Sequence, residues 1–239
     1  MSISHQRIDK FIAEHCGVSK KAVRLMVAQK RIVVDGEAVI SVDQIVNRFS
    51  QIALDGEVIQ NNQPVYIMLH KPVGVVSATI DEKHKTVIDI LASSFDKSIC
   101  EELHIVGRLD LNTSGLVLLT NDSRWSSALT LPDSKVEKKY RVTLKNKVTE
   151  EYVDAFTAGM YFGYEDITTR PATLEIIDEY TTLVTLTEGR YHQIKRMFGR
   201  FRNPVVGLHR FAIGNIVLDD KLQPGDSRPL SPEEVNWVI

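Results

Sequence analysis

Apolar positions in the first thirty residues recur at helical spacing. Ile8, Phe11, Ile12 and Cys16 share one side, and beyond Gly17 so do Val23, Met26 and Val27, which predicts two short helices with one buried stripe each. Gly17 suits a left-handed helix stop and Ser19 an N-cap. The outer side of the second helix carries Lys20, Lys21 and Arg24. The period then changes to that of short strands. RIVVDGEAV and ALDGEVI place Asp35-Gly36 and Asp55-Gly56 between apolar positions, and Asp-Gly in that setting signals a two-residue hairpin turn. The stretch QNNQP at 60–64 is polar and ends in proline, so a linker is expected there.

From residue 65 onward strand patterns dominate: YIMLH, GLVLLT, YRVTL, ATLEII and LVTLT, interrupted by helical patterns at SRWSSALT, TEEYVDAFTAG and YHQIKRMFGRF. Strands outnumber helices and do not alternate with them one for one. That predicts an α+β architecture with a mixed, mainly antiparallel sheet flanked by helices, and argues against a doubly wound parallel sheet. Leu116 to Leu119 lack any polar alternation, as a strand buried on both faces would; a bend through Ser114-Gly115 is expected before it. The expected organisation is a small domain over 1–60, a linker at 61–64 and a larger domain over 65–239.

With 239 residues, 43% of them hydrophobic, one large core plus a small one is affordable. No run of 18 apolar residues occurs and MSISHQRIDKFIAEH lacks the apolar core of a signal peptide, so a cytoplasmic protein without membrane association is expected. Two cysteines, Cys16 and Cys100, stand far apart without a second ligand at metal spacing, which argues against disulfide and zinc alike. The net charge of −2 conceals a marked asymmetry. Residues 1–40 hold seven Lys/Arg against four Asp/Glu, while 135–147 and 188–210 each hold six against one. Such runs are ordinarily solvated faces; converging on one cleft, they would make a footprint for a polyanion.

Neither a Walker-type phosphate loop nor a dinucleotide fingerprint is present. The seven histidines, at 5, 15, 70, 84, 104, 192 and 209, do not pair at ligand spacing near a carboxylate, so no metal or cofactor is expected, and no Ser or Cys nucleophile has a nearby histidine in sequence. What stands out is Asp110 in VGRLDLNTSGLVLLTND, a carboxylate at the lip of a core strand. It reads either as a turn-forming residue or as a catalytic one.

HIVGRLDLNTSGLVLLTND, with MLHKPVG before it, KKYRV after it and EGRYHQIKRMF later, is similar in order and spacing to the bacterial pseudouridine synthases. Within that family it most resembles the group modifying small-subunit (16S) ribosomal RNA, of the uridine-516 type. The segment over roughly residues 6–50 resembles an S4-type RNA-binding domain. The resemblance implies the pseudouridine synthase fold behind an S4-like α/β domain, an isomerase needing no cofactor, a ribosomal RNA or small-subunit assembly intermediate as partner, and a monomer. It implies that Asp110 is the catalytic carboxylate, acting as nucleophile or base, and that Lys195, in HQIK, is its cationic partner where many relatives carry arginine. A carboxylate buried against an apolar strand needs such a partner to stay charged. Tyr140, on the same strand side as Lys138 and Val142, is expected to stack on the uracil, with Ile194 closing the pocket's other side. Arg108 would enter the gap left by the extruded base or clamp a phosphate; Arg190 joins the substrate-binding residues, and Lys20, Lys21 and Arg24 would contact RNA phosphates.

Three other readings compete. A non-catalytic ribosomal-RNA-binding assembly factor would be favoured by loss of Asp110, Tyr140 or Lys195, and all three are present. An Asp-dependent glycoside or nucleoside hydrolase needs a second carboxylate across the scissile bond, for which EDIT at 165–168 is the candidate. A large-subunit (23S) ribosomal RNA synthase of the same family is the third, with EGRYHQIKRMF and EDITTRPATLEII favouring the small subunit.

Overall fold

The computed structural model describes residues 5–238, which form two compact units parting between Pro64 and Val65. In the first, helices Ile8–Cys16 and Lys20–Ala28 arise where the apolar spacing predicts them. Gly17 ends the first in the left-handed conformation at φ 66°, and the Ser19 hydroxyl accepts from the Ala22 amide at 3.2 Å to open the second. Ile8, Ile12, Val23 and Val27 pack onto Ile32, Val34 and Ile52 of a four-stranded sheet. That sheet runs Glu37–Ala38, Ile32–Val34, Ile52–Leu54, Glu57–Gln60. Both Asp-Gly pairs have positive φ at each residue, the geometry that matches a hairpin's strand twist. QNNQP is less loose than its composition suggests: Gln60 is the last strand residue and donates to the carbonyls of Asn47 and Ser50, and Asn62 donates to that of Arg48.

The second unit is built on a nine-stranded sheet. Its main path runs Thr173–Ile176, Thr181–Leu186, Lys138–Leu144, Val205–Ile213, Ser114–Thr120, Tyr66–Lys71, Ser227–Pro229. His104–Val106 and Ile216–Val217 are attached as short extra strands. Every pairing is antiparallel except that of Val205–Ile213 with Ser114–Thr120, which is parallel over His209–Ser114 and Arg210–Gly115. The strand at 205–213 was hidden in the sequence by Gly207, His209 and Arg210, which read only as part of a basic segment. It is the seam of the domain.

Side chains of Ser114–Thr120 explain their own unbroken apolarity. Val117 and Leu119 enter one core with Val87, Leu91, Phe156, Met197 and Phe198, while Leu116 and Leu118 enter a second with Trp125, Leu129 and Ile216. A strand covered on both faces has no solvent side on which to place polar residues. The expected bend at Ser114-Gly115 is absent: both residues already belong to the strand, and the chain turns earlier, where the Thr113 amide donates to the Asp110 carbonyl at 3.0 Å. Asp110 therefore stands in a turn and not at a strand start.

Candidate active site

A turn has no ladder to hold it, so its rigidity must come from elsewhere. The segment 107–116 is pinned at successive points. The Gly107 carbonyl accepts from the Arg210 guanidinium at 2.7 Å, and the Leu109 amide donates to Ser77 Oγ at 3.0 Å. The Leu111 carbonyl accepts from the Gly74 amide, the Thr113 carbonyl from Lys71 Nζ at 2.7 Å, and the Leu116 carbonyl from Arg210 Nε at 2.9 Å. Lys71 and Arg210 are buried, so two cations beneath the turn spend their donors on backbone oxygens, which makes their burial tolerable. Burial lowers the Lys71 ammonium from 10.5 to about 8, opposed by the charge of Asp110 and assisted by that of Arg210.

Above this base lies a cleft of about 800 Å³ within the second unit. Asp110, Tyr140, Lys195, Arg108, Ile194 and Arg190 all line it, so the structure brings together every candidate chosen from the larger domain. Asp110 Oδ2 stands 3.4 Å from Lys195 Nζ and 3.3 Å from His192 Nε2. Both of these contacts are to Oδ2. The expectation of a buried carboxylate needs correction: a third of the Asp110 side chain is exposed, because the turn lifts it clear of the core that receives Leu109.

Tyr140 comes from the strand Lys138–Leu144, whose alternation is as expected: Tyr140, Val142 and Leu144 are buried and Arg141 faces out. Its ring shares the cleft with Leu186, Ile194 and Leu208, an apolar floor suited to a flat base. Lys138, two positions earlier on the same side, also reaches the cleft, and burial, then Arg210, lowers its ammonium. Arg108 is exposed. Lys20, Lys21 and Arg24 are exposed on the helix of the first unit.

Helix Gln193–Gly199 supplies Ile194 and Lys195. Its neighbour Arg196 turns elsewhere: the guanidinium grips Glu165, with one contact at 2.6 Å, and lies 3.8 Å over the Phe162 ring, so it is an ion-paired surface position. Glu165 is thereby spent, and Asp166 accepts from the Tyr161 hydroxyl; neither lines the cleft. A second cleft carboxylate does exist in Glu188, 8% exposed, but its oxygens accept from the Arg170 amide, Gln193 Nε2 and Arg190 Nε. It is a brace for the loop and has no oxygen to spare for a hydrolytic pair.

Sequence reasoning missed His192, Lys71, Arg210 and Glu188. His192 lies inside EGRYHQIKRM and was a visible candidate; its closeness to Asp110 is purely tertiary. Lys71 carried a weaker signal, a charge at the end of the apolar run YIMLHK, whereas Arg210 was hidden with its strand. Among the described residues no three His, Cys, Asp or Glu side chains gather to hold a metal ion, and no helix is long and apolar enough to cross a membrane.

Residues 65–199 match the family model described as RNA pseudouridylate synthase. The chain is 46% identical over 230 residues to the ribosomal small subunit pseudouridine synthase A of Pseudomonas aeruginosa, covering 96% of this chain and 98% of that protein. It is 42% identical to the protein of the same name from Escherichia coli K12, covering 98% and 100%. A crystal structure of a pseudouridylate synthase superposes with a TM-score of 0.70 at 39% identity, covering 98% of this chain and all of that one.

Proposed function

The chain belongs to the RNA pseudouridylate synthase family, and from that premise we propose that its cleft isomerises one uridine of small-subunit (16S) ribosomal RNA, with Asp110 as the catalytic carboxylate. The enzyme is an isomerase acting on RNA; the choice of RNA is supported by the names of the Pseudomonas aeruginosa and Escherichia coli relatives. The observation that carries the assignment of the carboxylate is the approach of the Lys195 ammonium and the His192 imidazole to Oδ2 within the cleft.

The reaction breaks the bond from uracil N1 to ribose C1′, turns the base and joins C5 to C1′. A carboxylate beside the sugar serves this as a nucleophile or base while it stays charged, and preorganised cations favour that state. A uridine stacked in RNA must first be extruded. Tyr140 and Ile194 then hold the base, and the exposed Arg108 enters the vacated stack or holds a phosphate. Arg190, braced by Glu188, adds positive charge at the cleft wall. Residues 1–60 act as an S4-type RNA-binding domain through Lys20, Lys21 and Arg24, with 61–64 as the linker to the catalytic domain. The enzyme is proposed to work as a cytoplasmic monomer.

Asp110→Asn tests the assignment, because the amide keeps the shape and removes the charge. Single-turnover conversion of a small-subunit ribosomal RNA fragment is expected to vanish while filter retention of the RNA persists. Conversion at the wild-type rate would overturn the role of Asp110. Mapping pseudouridine in ribosomal RNA from cells lacking and regaining the protein identifies the target, and a missing site in large-subunit RNA would overturn the small-subunit reading.

A further inference from the structure

We propose that His192 is a catalytic acid and base of the isomerisation, giving the Nε2 proton to uracil N1 and taking the proton from C5. The inference rests on the reading of Asp110 as the catalytic carboxylate.

The first observation is position. His192 Nε2 lies 3.3 Å from Asp110 Oδ2, and the side chain is 36% exposed toward a cleft it helps to line. A group touching the carboxylate at the ribose carbon is within a base's width of N1 and C5 as the uracil turns. The second is posture. His192 holds the left-handed backbone conformation, φ 49° and ψ 31°, at the start of helix Gln193–Gly199, an uncommon state for a residue with a Cβ. It persists because its surroundings enforce it. The Arg190 amide donates to Gln193 Oε1, Gln193 Nε2 donates to Glu188, and the imidazole stacks on Tyr191 at 3.9 Å between ring centres. Buried Glu188, with no role in the chemistry, acts as the anchor that aims this ring.

The third is the chemistry still to be done once C5 is joined to C1′. C5 then carries both hydrogen and the sugar, and the ring holds an imine at N1=C6. Reaching pseudouridine is an imine-to-enamine shift. The N1 lone pair takes a proton from the imidazolium; the C5–H pair then becomes the C5=C6 bond as the N1=C6 pair returns to N1, and the C5 proton passes to the imidazole. One proton leaves His192 and one arrives, no electrons enter or leave, and the residue ends as it began. Histidine is suited to both halves because its two forms interconvert near neutrality, unlike the ordinary lysine or tyrosine. Asp110 is the counter-charge to the imidazolium. Lys195 on its own helix, Arg190 and Tyr191 in its loop, Arg108 on the turn of Asp110, and Lys138 and Tyr140 on the strand Lys138–Leu144 line the same cleft.

His192→Asn tests the proposal, since asparagine tolerates the left-handed backbone and retains a donor toward Asp110 but cannot shuttle the proton. Single-turnover conversion is measured on ribosomal RNA fragments bearing uridine or 5-deuterouridine, beside wild type and Asp110→Asn. Conversion by His192→Asn is expected to slow about 100-fold or more, with a larger 5-deuterium effect than wild type. Conversion within about threefold of wild type, or a slowed rate with an unchanged isotope effect, overturns the proposal; the latter would make His192 a positioning residue. If Asp110→Asn converts RNA like wild type, the reading of Asp110 fails; with that variant inactive, the His192→Asn result judges His192 alone.

Discussion

Lys71 Nζ donates to the carbonyl oxygen of Thr113 at 2.7 Å from a fully buried position, tying the end of the strand Tyr66–Lys71 to the last residue of the turn that carries Asp110. A charged lysine at this depth is a liability that its backbone acceptors offset only in part. Its ammonium loses the proton at about 8 when folded and at 10.5 ordinarily. Between those values the unfolded chain holds a proton that the folded chain has released, so stability rises with pH in that window. Wild-type unfolding free energy minus that of Lys71→Met is expected to grow between pH about 8 and about 10. Thermal or denaturant unfolding of the two proteins across that range checks it, and a flat or falling difference would contradict the assignment.

Gly115 is required by the parallel seam. Its φ is +111°, and a Cβ there would stand 2.1 Å from the Arg210 carbonyl oxygen, a backbone atom that cannot swing aside. Gly115→Ala is expected to cost the domain about 3 kcal/mol or more by overpacking and backbone strain. Chemical denaturation reads this, and a loss below about 1 kcal/mol would mean the two strands separate easily.

Lys195 is expected to matter to turnover far more than to stability. The pair with Asp110 is about a third exposed on each side, and such pairs contribute about 1 kcal/mol or less to folding. Lys195→Met should slow single-turnover conversion about 100-fold while Lys195→Arg stays within about tenfold. Equal rates for Met and wild type would remove Lys195 from the mechanism.

The exposed Lys20, Lys21 and Arg24 define a prediction for the first unit. Replacing all three by alanine is expected to leave the melting profile unchanged and to weaken RNA binding. Each lost phosphate contact lowers the slope of log affinity against log salt by about 0.7 to 0.9. Filter binding over a salt series measures this; an unchanged slope would show that the basic helix face does not touch RNA.

The sequence by itself determined what depends on neighbours along the chain. Helical spacing with Gly17 and Ser19, the two Asp-Gly turns and the unbroken run Leu116–Leu119 each report local backbone preference or local burial, and the structure agrees with all of them. The motifs around Asp110, Tyr140 and Lys195 also marked residues that prove to share one cleft. The tertiary structure alone decided what depends on register between distant strands. The parallel alignment of Arg210 with Gly115 brings a buried guanidinium beneath the turn that carries Asp110 and makes the strand 205–213 central, although its own pattern is broken by charge. The left-handed turn before Gln193 aims His192 at Asp110, a direction that no periodicity encodes. The physical reason is the same in both cases. Periodicity reports which side of an element meets solvent, whereas a side chain's partners are fixed only when strands pair, turns close and buried cations find the oxygens they must satisfy.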